Sequence, residues 1–263
     1  MDEATRSALR DLNRRFYEER GEAFSATRGS PWPGWQRVAP HLEQLARTHA
    51  PLRVLDVGCG NGRFADFLAD HFRDLGRRIE YVGVDASRTL LDIALRRPLE
   101  RIAPRWHRAD FVDDADALPP DRFHAVALFG VLHEVPDRAL RRMLLARLVS
   151  RVARGGLLVV TRWRFGELPR FARRTLPFET WNAGAAPRID PSRVEPGDAL
   201  LPWQLSAERA GEAPLPGHVR YAHALDELEF AALVHGLPLT RVEVFREDGR
   251  ERDLNEYSIF RHI

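Results

Sequence analysis

Three glycines directly follow a short apolar run near residue 50 and open a helical pattern. Leu52–Val57 has the length and apolar character of a buried strand, and Phe64–Phe72 has helical spacing. Between them, Gly58, Gly60 and Gly62 allow the backbone to turn tightly and to approach a ligand closely. The N-terminus of the following helix points free N–H groups and a partial positive charge at that ligand. These residues therefore predict a strand–turn–helix unit that binds a small molecule.

Further apolar runs alternate with helical patterns and extend this unit into a sheet. The predicted strands are Ile79–Val84, Arg105–Ala109, Phe123–Phe129 and Leu157–Trp163, the last after a turn at Gly155-Gly156. Helices are predicted from Ser87 to Leu95 and over Asp137–Val152. Strands that alternate with helices indicate a parallel sheet with right-handed crossovers, so we predict a Rossmann-like, doubly wound α/β fold.

The flanking segments complete a single predicted domain. Helical spacing over Glu3–Ala26 and Val38–Ala46 predicts an N-terminal helical cap, residues 1–50, before a core at 51–164. From Phe165 to about His218, frequent proline and glycine interrupt the helix and strand periodicity. This predicts a loop-rich, substrate-side insertion at 165–220. A helix and two strands are predicted to close the fold at 221–263.

Composition excludes several classes of protein. Cys59 is the only cysteine, so a disulfide framework and a cysteine zinc site are excluded, and we predict no metal. No apolar stretch approaches the ~20 residues that span a bilayer, and the charged N-terminus lacks a signal core, so we predict a cytoplasmic protein without membrane contact. All 40 basic residues are arginine, which fits either phosphate recognition or a GC-rich genome.

The spacing and charge of the glycine loop favour one class of cofactor. The nicotinamide fingerprint is G-x-G-x-x-G, whereas this loop reads G-x-G-x-G, with Arg63 where the third glycine would stand. Asp56 precedes the loop, and an acid there suits the ammonium group of S-adenosylmethionine (SAM) and would repel a diphosphate. The loop therefore favours SAM over NAD.

Acidic and aromatic residues end the next three strands. Asp85 can accept both ribose hydroxyls of either cofactor, Asp110 and Phe111 can hold the adenine, and Phe129 can cover the cofactor. A lone aspartate at such a position is more often a helix cap or a turn residue, but the set as a whole is more specific. The predicted cofactor-binding residues are Asp56, Gly58, Gly60, Asp85, Ala86, Asp110, Phe111 and Phe129.

From Leu52 to Trp163 this set resembles the class I SAM-dependent methyltransferase superfamily. That resemblance implies a mostly parallel seven-stranded sheet with an antiparallel last strand. Short motifs outside the core resemble the tRNA wobble-uridine carboxymethyl methyltransferases, including the methyltransferase domain fused to an AlkB-like hydroxylase. In chain order these motifs are Phe24–Arg28, Pro31-Trp32-Pro33, Val131-Leu132-His133, Gly197–Trp203, Arg220–His223 and Asp253–Tyr257.

This second resemblance implies an activity and an acceptor site. The family esterifies a carboxymethyl group on uridine 34 of certain tRNAs. The catalytic residues carried over by position are Arg28, His133 and Arg220, and the substrate-binding residues are Trp32, Asp198, Trp203, Tyr221 and His223. The chain departs from the family at Glu134, where a second histidine often follows the one matching His133, and over Pro169–Arg193. The alternative roles are structural: His133 as a helix cap and Trp203 as core packing.

Two partners are also expected. Family members are activated by a small zinc-ribbon protein that adds a strand to the sheet edge, and exposed apolar residues on Arg105–Ala109 would support such a partner. Arg162 and Arg164, followed by Arg170, Arg173 and Arg174 and interleaved with aromatic residues, are predicted to follow a tRNA backbone. The alternative for this arginine cluster is a solvated face.

Two other functions stay open at this level. One is methylation of a small-molecule carboxylate, hydroxyl or amine, with the long insertion acting as a lid. The other is a non-catalytic SAM-binding scaffold. A carboxylate acceptor is already ionised at neutral pH and needs no strong base, so its methylation requires mainly alignment and the exclusion of water.

Overall fold

The chain forms one long sheet with helices on both faces. The computed structural model describes residues 1–76, 78–99, 102–112, 114, 116–172, 174–203 and 217–263. The elements are α1 (Glu3–Ala26), α2 (Trp35–Thr48), β1 (Leu52–Val57), α3 (Arg63–His71), β2 (Ile79–Asp85), α4 (Arg88–Leu95), β3 (Arg105–Arg108), β4 (Phe123–Leu128), α5 (Arg138–Arg151), β5 (Val152–Trp163), α6 (Pro169–Ala172), α7 (Phe178–Gly184), β6 (Asp198–Pro202), β7 (Val219–His223), α8 (Glu227–Val234), β8 (Leu239–Glu247) and β9 (Asn255–His262). No described helix combines the length and the apolar character needed to cross a membrane.

The large sheet has seven strands in the order β3-β2-β1-β4-β5-β9-β8. Strands β1 to β5 pair in parallel, whereas β9, the last strand in the chain, runs antiparallel to both β5 and β8. The predicted doubly wound sheet with an antiparallel last strand is therefore confirmed. Because β1, β2 and β4 are parallel neighbours, the loops after them meet at one edge of the sheet.

Alternating strand residues feed two separate cores. On β1, Leu52 and Val54 face a core with α2 and α3, whereas Leu55 and Val57 face a core with α5 and α8. Each of these side chains is fully buried, and burial of one such side chain stabilises a fold by roughly 1.5–3 kcal/mol. The two apolar faces explain why the strands read as continuous apolar runs rather than as alternating ones.

The insertion contains more regular structure than its sequence predicts. Strands β6 and β7 pair in an antiparallel two-stranded sheet, and Leu200 and Tyr221 of this sheet pack against Leu9 and Leu12 of α1. Each strand has only five residues, which is too short to carry a clear periodic pattern, and the two are far apart in sequence. Residues 204–216 between them, and Arg173 of the predicted arginine cluster, lie outside the described residues.

Strand β5 also begins earlier than predicted, at Val152 rather than at Leu157. The pair Gly155-Gly156, predicted as a turn, lies within it, where the register against β4 shifts between Phe123 and Ala125. Gly155 has a φ of 76°, and a Cβ on Gly156 would lie 2.7 Å from the carbonyl oxygen of His124. The two glycines therefore permit an irregularity inside β5 and do not end the strand.

The outer edge strand β3 does not have the surface expected for a strand-adding partner. Its residues Arg105, His107 and Arg108 are exposed and polar. Trp106, which is half-buried, packs edge-on against Tyr81 with 5.5 Å between ring centroids. The edge is thus basic rather than apolar, and the zinc-ribbon activator stays a prediction without the support named for it.

Candidate cofactor and acceptor site

A cavity opens at the carboxyl ends of β1, β2 and β4. Its floor is the glycine loop and its roof is α1, which contributes Asn13 and Tyr17. Helix α1 packs against α4 and against β7. Its Arg10 also donates to Asp110 Oδ2 at 2.7 Å across the cavity mouth. The cavity therefore lies where ligands bind in doubly wound sheets, beneath a helix supplied by the N-terminus.

The glycine loop comes unusually close to its neighbours. Gly58 has a φ of 74°, and a Cβ there would lie 2.1 Å from Val131 Cγ2. The amide of Gly60 donates to Asp85 Oδ2 at 2.7 Å, which ties the loop after β1 to the end of β2. Cys59, also in the loop, is buried and lines the cavity. Glycine at 58 is therefore required by backbone conformation and by space, and glycine at 60 is favoured by its φ of 54°.

A buried carboxyl group, Asp56, and a half-buried one, Asp85, face the cavity beside this loop. Asp56 is 2% exposed and accepts a hydrogen bond from the Tyr81 hydroxyl. Burial raises its pKa to about 7, an effect that the Tyr81 hydrogen bond partly offsets and the nearby Asp85 increases. Burial also raises the pKa of Asp85, although its carboxylate accepts backbone hydrogen bonds from Gly60 and Ser87. A ligand that brings a cation or a hydroxyl donor would stabilise the ionised form of both groups.

Every predicted cofactor residue lines this cavity. Ala86, Asp110 and Phe111 lie at one end. At the other, Phe129 joins an aromatic cluster in which Trp32 stacks on Trp35, with 5.6 Å between ring centroids. The individual roles of these residues in holding SAM stay predictions, but their common position is what those roles require.

Two arginines face the cavity with no carboxylate partner among the described residues. Arg28 lies over the Phe24 ring, with 3.9 Å from its guanidinium carbon to the ring centroid. Arg63, the first residue of α3, donates to the carbonyl oxygen of Ser30. Burial lowers the pKa of each to about 10, with a like charge adding to the shift: Arg220 beside Arg28, and Arg28 beside Arg63. Both remain cationic at neutral pH.

Glu134 and Tyr17 line the cavity near Arg28, and neither was predicted as a site residue. We call this part of the cavity the acceptor end, after the role predicted for Arg28. The Tyr17 hydroxyl donates to Glu134 Oε1, and Arg220 Nη1 lies 3.7 Å from the same oxygen. Burial raises the pKa of Glu134 to about 7 against the opposing effect of Arg220. The departure of Glu134 from the family histidine was the available signal, whereas nothing in the helical pattern of α1 singles out Tyr17.

The predicted residues His133 and Arg220 lie behind Glu134 and do not line the cavity. His133 is buried in the short 3₁₀ turn Leu132–Glu134, with its ring edge-on to Trp163 at 4.9 Å between centroids. Burial lowers its pKa to about 3, so the ring is neutral. The Arg220 guanidinium carbon lies 5.0 Å from the Trp163 ring centroid. This arrangement therefore does not favour direct contact between an acceptor and either His133 or Arg220.

The predicted substrate residues Asp198, Tyr221 and His223 form a buried network instead of a pocket wall. Asp198 Oδ1 accepts from the Tyr221 hydroxyl at 2.7 Å and lies 2.8 Å from His223 Nδ1. His223 Nε2 lies 2.8 Å from Glu229, which also pairs with the fully buried Arg141. The prediction that these residues line the acceptor pocket is wrong, because they join the β6–β7 sheet to α5 and α8.

The predicted tRNA-contacting residues Arg162 and Arg164 are also misplaced. Arg162 is 2% exposed and pairs with Glu167 and Glu256, its cross-strand neighbour on β9. Arg164 is buried against Glu167 and the carbonyl oxygen of Asp253. Neither guanidinium is available to follow an RNA backbone.

Trp203 lies near the cavity without lining it. Its ring contacts Phe16 and Phe24, with centroids 5.7 and 6.1 Å away. Because Phe24 lines the cavity, Trp203 supports the acceptor end from behind. Among the predicted acceptor residues, the structure therefore brings Arg28 and Trp32 to the cavity itself.

Comparisons with known proteins agree with this geometry. Residues 55–158 match a family model described as a methyltransferase domain. A tRNA (carboxymethyluridine(34)-5-O)-methyltransferase of Xenopus tropicalis is 28% identical over 156 residues, which is 59% of this chain and 21% of that protein. A ubiquinone biosynthesis O-methyltransferase of Alkalilimnicola ehrlichii is 35% identical over 98 residues, 37% of each chain. This chain thus spans well under half the length of these relatives.

A solved structure extends the similarity to the fold. The SAM-bound CalS10 of Micromonospora echinaspora, an amino pentose methyltransferase, superposes with a TM-score of 0.55 at 20% identity and covers 92% of this chain and 96% of its own. The predicted methyltransferase class agrees with the domain match, and the predicted fold is confirmed by this neighbour. Residues 55–158 match a methyltransferase domain, and the chain has the fold of the class I SAM-dependent methyltransferases.

Proposed function

We propose that this chain uses SAM to methylate the carboxylate of a carboxymethyl-type modified wobble uridine in tRNA. The activity for which the Xenopus relative is named supports this acceptor, and so do the ordered motifs outside the core. Within the structure, the observation that carries the proposal is that Arg28 and Arg63 line one cavity without a carboxylate partner among the described residues.

A count of charges explains why this pair points to an anionic acceptor. SAM carries a sulfonium, an ammonium and one carboxylate. Asp56 and Asp85 suit its ammonium and ribose hydroxyls, and Arg63, directly after the glycine loop, suits its carboxylate. Arg28 then has no carboxylate within ion-pair distance among the described residues, although the charge of Glu134 acts on it, and a partly buried cation is costly unless it is paired. A second carboxylate, supplied by the acceptor, would pair with Arg28.

The methyl transfer itself needs no general acid or base from the protein. Bound SAM supplies a methyl group on a positively charged sulfur, which leaves as a neutral thioether when an acceptor oxygen forms the new C–O bond. Arg28 would hold the acceptor carboxylate, while Trp32 and Phe129 would exclude water from the reacting atoms. No proton has to move, because the acceptor is already ionised.

The decisive experiment combines the purified chain, methyl-labelled SAM and total tRNA, with and without cell extract to supply any activator. We expect label in a wobble uridine as an ester that mild base releases. Label confined to the small-molecule fraction of the extract would contradict the tRNA acceptor. Absence of label in every fraction, despite SAM binding, would favour a non-catalytic scaffold.

Substitution of the two arginines tests the charge count. Arg28→Ala is expected to lower methyl transfer at least about tenfold while SAM affinity stays within a few-fold, because a charged hydrogen bond contributes about 1.5–3 kcal/mol. Arg63→Ala should instead weaken SAM binding by a similar factor. Arg88→Ala is the control, since its side chain is 75% exposed and such substitutions change little. Loss of SAM binding in Arg28→Ala would contradict the assignment.

A small-molecule acceptor is the second candidate. Burial takes Arg162 and Arg164 out of the RNA surface that the sequence predicted, whereas Arg170 and Arg174 are exposed. Helix α1 also roofs the cavity. The relative named for ubiquinone biosynthesis fits this alternative. The label distribution described above separates the two candidates.

A further inference from the structure

Glu134 presents one carboxylate oxygen to the acceptor end of the cavity. Its Oε1 accepts the Tyr17 hydroxyl and lies 3.7 Å from Arg220 Nη1. Its Oε2 has no hydrogen-bond partner in the part of the chain that the structure describes, and the side chain, 17% exposed, lines the cavity. Tyr17 thus holds one oxygen in place and leaves the other as a fixed acceptor for a ligand.

The charges around Glu134 keep this site compatible with an anionic acceptor. Arg220 lies behind Glu134 and balances its charge, whereas Arg28 faces the cavity and has no carboxylate partner among the described residues. The cavity therefore offers a cation for a carboxylate and, separately, a hydrogen-bond acceptor. A ligand that fills both needs an anionic group and an N–H or O–H donor.

The uracil ring has such a donor. At neutral pH its N3 carries a proton between two carbonyl groups, whereas cytosine N3 is a bare acceptor beside an amino group. A carboxylate at the ring edge would accept the N3–H of uracil and would repel the N3 lone pair of cytosine. A ligand that leaves a buried polar group of the site unpaired binds much more weakly. A site with such a group therefore discriminates between similar ligands better than an apolar site does.

We propose that Glu134 is a specificity-determining residue, which accepts a hydrogen bond from the N3–H of the acceptor uracil and so selects uridine over cytidine. This inference rests on the proposed function, because it assumes a uridine acceptor. Tyr17 acts as a positioning residue that orients the Glu134 carboxylate.

The test compares two short anticodon stem-loop RNAs, one with 5-carboxymethyluridine and one with 5-carboxymethylcytidine at the acceptor position. The full chain, with extract added for any activator, is expected to prefer the uridine RNA by at least about tenfold, the value of one hydrogen bond to a charged group. Glu134→Ala should lower this preference at least about fivefold. Tyr17→Phe should lower it partially, because the carboxylate remains but loses its orientation.

The ratio of the two substrates separates recognition from a general structural effect. Damage to the fold lowers both rates together, whereas loss of base recognition changes their ratio. An unchanged ratio in Glu134→Ala, with uridine still methylated, would overturn this inference and leave the proposed function intact. Absence of methylation of either RNA by the unmodified chain would contradict both.

Discussion

Asp56, which is buried, and Asp85, which is half-buried, both line the cofactor cavity, so we expect cofactor affinity to depend on pH. The contact that we propose between Asp56 and the ammonium of SAM requires the ionised form of Asp56, whose pKa burial raises to about 7. Affinity should therefore fall as pH drops below 7, by about tenfold between pH 8 and pH 6. Asp85, whose pKa is also raised, contributes in the same direction.

Isothermal titration of SAM at both pH values measures this effect. Asp56→Asn should bind SAM more weakly and should lose most of the pH dependence, whereas Asp85→Asn should keep the part that belongs to Asp56. An unaltered pH profile in Asp56→Asn would show that another group titrates with binding.

At the scale of elements, one buried side chain of α1 makes two hydrogen bonds with the backbone of β7. Asn13 is buried, donates to the carbonyl oxygen of Tyr221 at 3.1 Å and accepts from the Tyr221 amide at 2.7 Å. Asn13→Ala leaves both backbone groups of β7 without these partners, and each unsatisfied buried group costs about 1–3 kcal/mol. We expect urea unfolding to show a loss of about 2–4 kcal/mol. Glu22→Ala, exposed on the same helix, should change stability by less than about 0.5 kcal/mol.

The elements also show what sequence patterns can and cannot predict. The glycine loop and the acids at the strand ends were predictable, because spacing along a single segment fixes their positions. Arg162 was misjudged because its burial depends on β9, which places Glu256 opposite it across the sheet. Likewise β6 and β7 pair across a long separation in sequence, and Glu134 meets Tyr17 only after α1 has folded over the cavity. Such long-range pairings leave no local period to read.

At the scale of the whole molecule, the cofactor cavity joins parts of the chain that are distant in sequence. Helix α1, the glycine loop and the ends of β2 and β4 all line it, so bound SAM should stabilise the entire fold. At one hundred times its Kd, SAM adds about 2.7 kcal/mol to the free energy of unfolding. For a chain of this size, that raises Tm by about 5–10 °C.

Thermal scans with a SAM titration measure this shift. Asp85→Ala, which removes a carboxylate from the cavity and a partner of the Gly60 amide, should reduce the shift at the same SAM concentration. A full shift in this variant would show that Asp85 does not contribute to cofactor binding.

The sole thiol of the chain makes it convenient for attaching fluorescent dyes. Burial raises the pKa of Cys59 well above its usual value, and Asp85 and Asp56 increase the shift. Because the thiolate is the reactive form, maleimide dyes should scarcely modify this sulfur. A cysteine introduced at Leu228, which is 82% exposed, should therefore be labelled alone. Fluorescence polarisation of that single dye can then follow the binding of RNA to a chain that still carries the Cys59 thiol.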